Sequence, residues 1–359
     1  MARTVIPFGP QHPVFPEPVH LKLELEDETV VGVTPIIGYM HRGIEKAAEL
    51  KTFRQNVFLI ERICGICSFM HSLAYCQGVE ALTDVVVPSR ARFLRVFWSE
   101  LSRTHSHLLT LGLLADAMGF ESLFMQCWRA REIVLDISEM TAGHRIIQST
   151  CSVGGVRRDI DSEMAKEVDG RLLALREMLD KSISPVFLHD YTINRRTAGK
   201  GIVSKEQAEF LGAVGPTARG SGVTVDIRQT GYAAYNDLSI DPVVETAGDS
   251  YARTKVRVRE LNRSVELVRE VLAMMPAGEI LVAVSKYPEG ETVSRVEQPR
   301  GEEIMYLKGN GTNYLERVRV RTPTFANIPA LLGMLPGCEL ADVPIITLSI
   351  DPCIGCTER

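Results

Sequence analysis

A chain of 359 residues with net charge −5, 45% hydrophobic and 24% charged residues and mean hydropathy near zero has the composition of a soluble globular protein with a substantial core. Acidic and basic residues are well mixed, and no Lys/Arg tract of the kind that tracks a phosphate backbone occurs, which argues against nucleic acid as a partner. No apolar run reaches the roughly 18–20 residues of a membrane span: Asp116 interrupts the stretch Leu108 to Phe120, and Met1-Ala2-Arg3-Thr4-Val5 carries no apolar signal segment.

In chain order, Pro7 to Pro18 is too rich in proline for a helix and reads as an ordered loop. Leu21, Leu23 and Leu25 alternate with Lys22, Glu24 and Glu26 as in a half-buried strand, and Val30 to Val33 is its hairpin partner. Helical periodicity then takes over, with helices expected from an N-cap at Ser89, from Ser122 through Ile146, from about Ser162 to Ile183, after a capping box at Ser204, and from Tyr251 to Met275. After Pro276, Ile280–Val284, Glu303–Leu307 and Leu315–Arg321 read as strands, with Gly309-Asn310-Gly311 as a turn. The expected class is α+β, mainly α. A long-helix bundle over about 43–276 would carry a small mixed β region built from about 1–40 and 277–350, in one compact domain spanning 1–359.

Two CxxC motifs lie near the two ends of the chain, Cys64-Gly65-Ile66-Cys67 and Cys353-Ile354-Gly355-Cys356. Two intervening residues let both thiolates of a pair face one ion, and two pairs supply four sulfurs. Small zinc units keep such pairs within a few tens of residues, whereas here nearly the whole chain separates them. On spacing alone a structural zinc site, buried unligated thiols, nickel and iron all stay open. Cys76, Cys127, Cys151 and Cys338 lack partners at ligand spacing and read as buried thiols. His105 and His107, two apart on a helix, diverge too far to share an ion and read as packing residues.

The contexts of the motifs carry a resemblance. Arg62-Ile63-Cys64-Gly65-Ile66-Cys67 with His71, and Asp351-Pro352-Cys353-Ile354-Gly355-Cys356-Thr357-Glu358-Arg359, resemble the large subunit of nickel–iron (NiFe) hydrogenases. Gly9-Pro10-Gln11-His12-Pro13, Cys67-Ser68-Phe69, Arg103-Thr104-His105-Ser106-His107 and Gly154-Gly155-Val156-Arg157-Arg158-Asp159 are similar to its energy-converting (Ech-type), membrane-associated branch, which is related to the quinone-site subunit of complex I. The resemblance covers essentially the whole chain.

It implies a binuclear Ni–Fe(CN)2(CO) centre, with Cys64 and Cys353 as terminal nickel ligands and Cys67 and Cys356 bridging nickel and iron. It assigns proton transfer to Glu17, packing over the iron's diatomic ligands to Arg300, hydrogen bonding to a cyanide to Thr324 beside Pro323, and donation to a bridging sulfur to His71. Glu45 matches a glutamate that helps bind a Mg or Fe ion. Many relatives complete that site with a C-terminal histidine, and Arg359 stands there instead, so an ion pair between Glu45 and Arg359 is expected to replace the ion. In the family a precursor is cut three residues past the last cysteine, so a chain stopping at Arg359 has the form of a matured subunit.

No iron–sulfur cluster of its own is expected. The implied partners are a small subunit with a 4Fe-4S cluster, further ferredoxin-like and integral membrane subunits, ferredoxin, and H2 with protons as substrates. The expected location is cytoplasmic, peripheral on the cytoplasmic face of the cell membrane. The competing readings are a complex I-like quinone-binding structural subunit without nickel and a structural zinc protein. The four cysteines weigh against the first of these.

Overall fold

The computed structural model describes residues 3–359; Met1 and Ala2, at the head of the expected β region, lie outside the described residues. The α+β, mainly α expectation holds. The β residues form an antiparallel three-stranded sheet near each end of the chain and a two-stranded hairpin between them in sequence. In the first, His20–Glu26 lies between Arg3–Phe8 and Thr29–Ile36. Leu21, Leu23 and Leu25 all face inward while Lys22 is exposed, the period-2 pattern of a one-sided sheet. Pro7 and Phe8 belong to a strand, not to the expected loop; proline is tolerated there because that strand is at the sheet edge.

The second sheet is Glu289–Gln298, Gly301–Asn310 and Leu315–Arg321 in sequential order. Its first strand was not expected, and Gly309 and Asn310 continue the second strand instead of turning. Ile280–Val284 is not a strand. It makes a single bridge, Gly155 to Leu281, because the hairpin it crosses offers only two residues on each side, Cys151–Ser152 and Gly155–Val156. A Cβ on Gly155 would stand 2.1 Å from the Ile280 carbonyl oxygen, so the crossing requires glycine there.

The long helices are Ser68–Thr83, Ser89–Ala117, Glu121–Ala142, Ser162–Met178 and Ser250–Met274, and the first of them packs on the second sheet. Ser89 is the first helical residue and makes no cap; Pro88 fixes the entry. Asp161 and Asp249 cap the Ser162 and Ser250 helices, and the Ser204 capping box is present with Gln207. The Glu121 helix stops at Gly143, whose φ of 81° suits glycine, so Ile146 lies beyond it. One hydrophobic cluster fills the space between the long helices and the second sheet. Another joins the first sheet to helices Pro323–Met334 and Val343–Ser349. The last helix, Ile354–Glu358, sits on the seam: Cys353 and Cys356 face the first cluster and Ile354 the second.

Candidate metal centre

The first cysteine pair occupies the turn between helix Phe53–Glu61 and helix Ser68–Thr83; of the second, Cys353 ends the turn after helix Val343–Ser349 and Cys356 lies in the last helix, Ile354–Glu358. Asp351 makes that second turn with φ 57°, in the left-handed region. The fold brings all four sulfurs together in the core, each cysteine at most 4% exposed. Cys64 and Cys353 Sγ are 3.2 Å apart, Cys67 and Cys356 Sγ 3.5 Å, and the sulfurs of Cys64, Cys67 and Cys356 lie within 4.8 Å of one another. These are separations of free thiols, well beyond the ~2.05 Å of a disulfide.

The electrostatics fit a cation. Donation from the Cys353, Cys356 and Cys67 thiols holds Cys64 well below the ordinary thiol range, while burial pushes Cys67 and Cys356 up. Burial opposes negative charge on these sulfurs. Gathering further thiolates in this dry space calls for a soft, positively charged metal between them. The donor set suits a nickel–iron group, and zinc as well.

His71 lies one turn into its helix, four residues after Cys67 and on the same face. Its Nε2 stands 3.4 Å from Cys67 Sγ and 3.3 Å from Cys356 Sγ, and its Nδ1 is 2.6 Å from Glu303 Oε1. Gln298 Nε2 donates to the other Glu303 oxygen at 2.6 Å. Burial, the largest single influence, would lower the imidazole pKa, but the Glu303 carboxylate together with the Cys67 and Cys64 sulfurs raises it well above the usual range. Glu303 and Gln298 were not singled out from the sequence. The available signal is that Glu303 falls on the inward face of its strand, in phase with Met305 and Leu307, where a charge needs a partner.

Arg300 comes off the hairpin between Gln298 and Gly301 and is 1% exposed. Its Nε donates to the Asp351 carbonyl and its Nη2 to Asp351 Oδ1, both at 2.8 Å, and Nη1 reaches Ser106 Oγ at 3.3 Å. Thr324 Oγ1 accepts the Cys353 N–H at 3.2 Å, Pro323 opens the helix carrying it, and Thr322 Oγ1 donates to the Cys356 carbonyl at 2.9 Å. Both flanks of the second pair are thus held through the main chain.

Glu17 Oε2 accepts the N–H groups of Ile354 and Gly355, the two residues between Cys353 and Cys356. The same carboxylate lines an open cavity of about 470 Å³ with Gln11, His12 and Phe15, so it stands between the sulfur pocket and the exterior. Farther out, Arg359 Nε donates to Glu45 Oε1 at 3.1 Å. Val320 N donates to that oxygen at 2.9 Å, and Arg319 Nη1 to Oε2 at 3.1 Å. His105 and His107 do not join the site as a pair. Arg131 donates to His105 Nδ1 at 2.9 Å, and His107 Nε2 meets Glu260 Oε2 at 3.1 Å. Cys76, Cys127 and Cys151 are buried; Cys338 is half-buried.

Two protein families match the chain. The model of the nickel-dependent hydrogenases matches residues 42–115, and that of the respiratory-chain NADH dehydrogenase 49 kDa subunit matches 117–287 and 280–359. The chain is 40% identical to the carbon monoxide-induced hydrogenase of Rhodospirillum rubrum over the full length of both. It is also 40% identical to the membrane-bound hydrogenase subunit alpha of Pyrococcus furiosus, over 99% of this chain and 87% of that one. Its fold superposes with a TM-score of 0.94, at 29% identity and covering 99% and 98% of the two chains, on a chain of the membrane-bound sulfane sulfur reductase, an archaeal respiratory membrane complex. The chain therefore belongs to the family of membrane-associated hydrogenase large subunits and respiratory-chain 49 kDa subunits.

Proposed function

We propose that this chain is the catalytic large subunit of an energy-converting NiFe hydrogenase that interconverts H2 with two protons and two electrons. The observation that carries this reading is the convergence of four free, buried cysteines from the two ends of the chain. Cys64 and Cys353 would hold nickel, and Cys67 and Cys356, which share one imidazole donor, would hold nickel and iron together. When bound, the group supplies the electron-rich centre at which H2 is split heterolytically.

The chain's own residues do the rest. Glu17 has one oxygen committed to the Ile354 and Gly355 amides, which leaves Oε1 to receive a proton from the Cys353 side and release it towards the open cavity. His71, backed by Glu303, keeps a donor between the Cys67 and Cys356 sulfurs and so moderates their negative charge. Arg300, its guanidinium held by Asp351 and Ser106, keeps a buried positive charge near the cysteines, and the surrounding core excludes water.

Electrons would leave through a partner subunit bearing an iron–sulfur cluster, with ferredoxin as carrier and ion translocation in membrane subunits. No helix among the described residues is long and apolar enough to cross a membrane, in keeping with a peripheral place on the cytoplasmic face. The match to the 49 kDa subunit favours a second reading, a quinone-site structural subunit without nickel. Metal analysis together with infrared spectroscopy of the purified complex separates the two. Nickel and iron in about 1:1 ratio with CO and cyanide bands support the hydrogenase; zinc alone, or no metal, overturns it.

A further inference from the structure

The two cysteine pairs must meet with sulfurs 3.2 and 3.5 Å apart, although they arrive on segments from opposite ends of the chain. We infer that Arg42 is the positioning residue that sets this meeting, a claim that rests on reading the cysteines as metal ligands. Its Nη1 donates to the Arg62 carbonyl at 2.9 Å and its Nη2 to the Ile63 carbonyl at 2.6 Å, on the two residues just ahead of Cys64. The same Nη2 reaches the Gly355 carbonyl at 3.4 Å, inside the second pair. One planar guanidinium thus touches the main chain of both halves.

Three groups converge on Gly355. A Cβ there would lie 3.0 Å from the Ile63 carbonyl oxygen, 3.3 Å from Glu17 Oε1 and 3.5 Å from Arg42 Nη2. Glu17 takes the N–H side of this peptide segment and Arg42 the carbonyl side, so the segment carrying Cys356 is gripped between an anion and a cation. The contacts to Arg62 and Ile63 do not involve the second pair, so they hold the guanidinium independently of it. Its neighbours hold the far end of the same helix: Met40 N donates to Glu358 Oε2, and His41 Nδ1 lies 2.6 Å from the Glu358 carbonyl oxygen. A lysine cannot replace the fork, because one ammonium on a flexible stem does not fix two carbonyl directions at once.

The Arg42 side chain is exposed, as is Arg62, while Ile63 and Gly355 are buried, so removing the side chain opens no cavity and leaves the core intact. The test compares wild type, Arg42→Gln and Arg42→Lys in the assembled complex by amide hydrogen exchange, metal analysis and infrared spectroscopy. In Arg42→Gln, exchange at Ile354–Thr357 should rise about fivefold or more, with exchange in Ser250–Met274 and the melting temperature unchanged. Nickel content should fall and the CO and cyanide bands should shift or broaden. Arg42→Lys should recover only part of both effects. The proposal is overturned if Arg42→Gln matches wild type in exchange and nickel, or if lysine restores both fully. Should wild type itself hold no nickel, the hydrogenase reading fails, while the exchange comparison still decides whether Arg42 fixes the second pair.

Discussion

Arg300 grips Asp351 at two points, its carbonyl through Nε and its carboxylate through Nη2, both at 2.8 Å. Asp351 is the residue with left-handed backbone that turns the chain into Pro352 and Cys353, so the arginine braces the turn that delivers a sulfur. Burial would lower the Arg300 pKa, but Asp351 and the nearby cysteines keep it well above its usual range, so the charge stays on. Arg300→Lys keeps the charge and loses the fork. With Asp351 Oδ2 already without a partner, the aspartate would be left under-bonded in the core, at a cost of about 3 kcal/mol. Denaturant unfolding of the variant chain measures that loss; a change under 1 kcal/mol (about fivefold in the equilibrium) would show that the fork carries little.

Glu17→Gln separates proton handling from structure. A glutamine oxygen still accepts the Ile354 and Gly355 amides, so the second pair stays in place. Without a titratable group, H2/D+ exchange should fall by roughly 10²- to 10⁴-fold while nickel and iron remain bound. Undiminished exchange removes Glu17 from the proton path.

Much of this was legible from the sequence because the signals are local. Four cysteines in two CxxC motifs, the alternation at Leu21–Leu25, the Ser204 capping box and the strand Leu315–Arg321 each declare themselves within a few residues. What stayed hidden depends on partners far along the chain. Glu303 matters because the fold sets it against His71, and Arg42 because Gly355 comes to rest beside it. The inward phase of Glu303 shows that it needs a partner, but neither segment read by itself says which residue that partner is. Ile280–Val284 misled for the same reason: its β-branched texture is local, but a strand needs a neighbour, and the chain supplies a two-residue one.

Glu45 bears on whether a second cation binds. Its Oε1 is taken by Arg359 Nε and Val320 N, and its Oε2 by Arg319, so both oxygens face donors that a divalent ion would have to displace. Chelator treatment should therefore leave the melting temperature unchanged, and anomalous scattering should find no ion at Glu45. Arg359 also lies over the Phe325 ring at 5.0 Å. Because the pair is near the surface, Arg359→Ala should cost only about 1 kcal/mol. An ordered Mg or Fe ion on Glu45 would overturn this account.

In the core, Glu260 is buried between Arg219, whose Nε donates to Oε1 at 2.8 Å, and His107. Burial pushes its carboxyl pKa up, but Arg219 and His107 outweigh that and bring it down to about 2. A carboxylate whose folded pKa lies below its unfolded value of ~4.3 stabilises the fold above that value, and the contribution fades as pH falls towards 2. The difference corresponds to on the order of 3 kcal/mol at neutral pH. Glu260→Gln should therefore be less stable than wild type by that amount at pH 7, and the gap should narrow between about pH 4.3 and pH 2. Urea midpoints of both chains across that range test it: a gap that stays constant with pH would mean that Glu260 acts through packing and not through its charge.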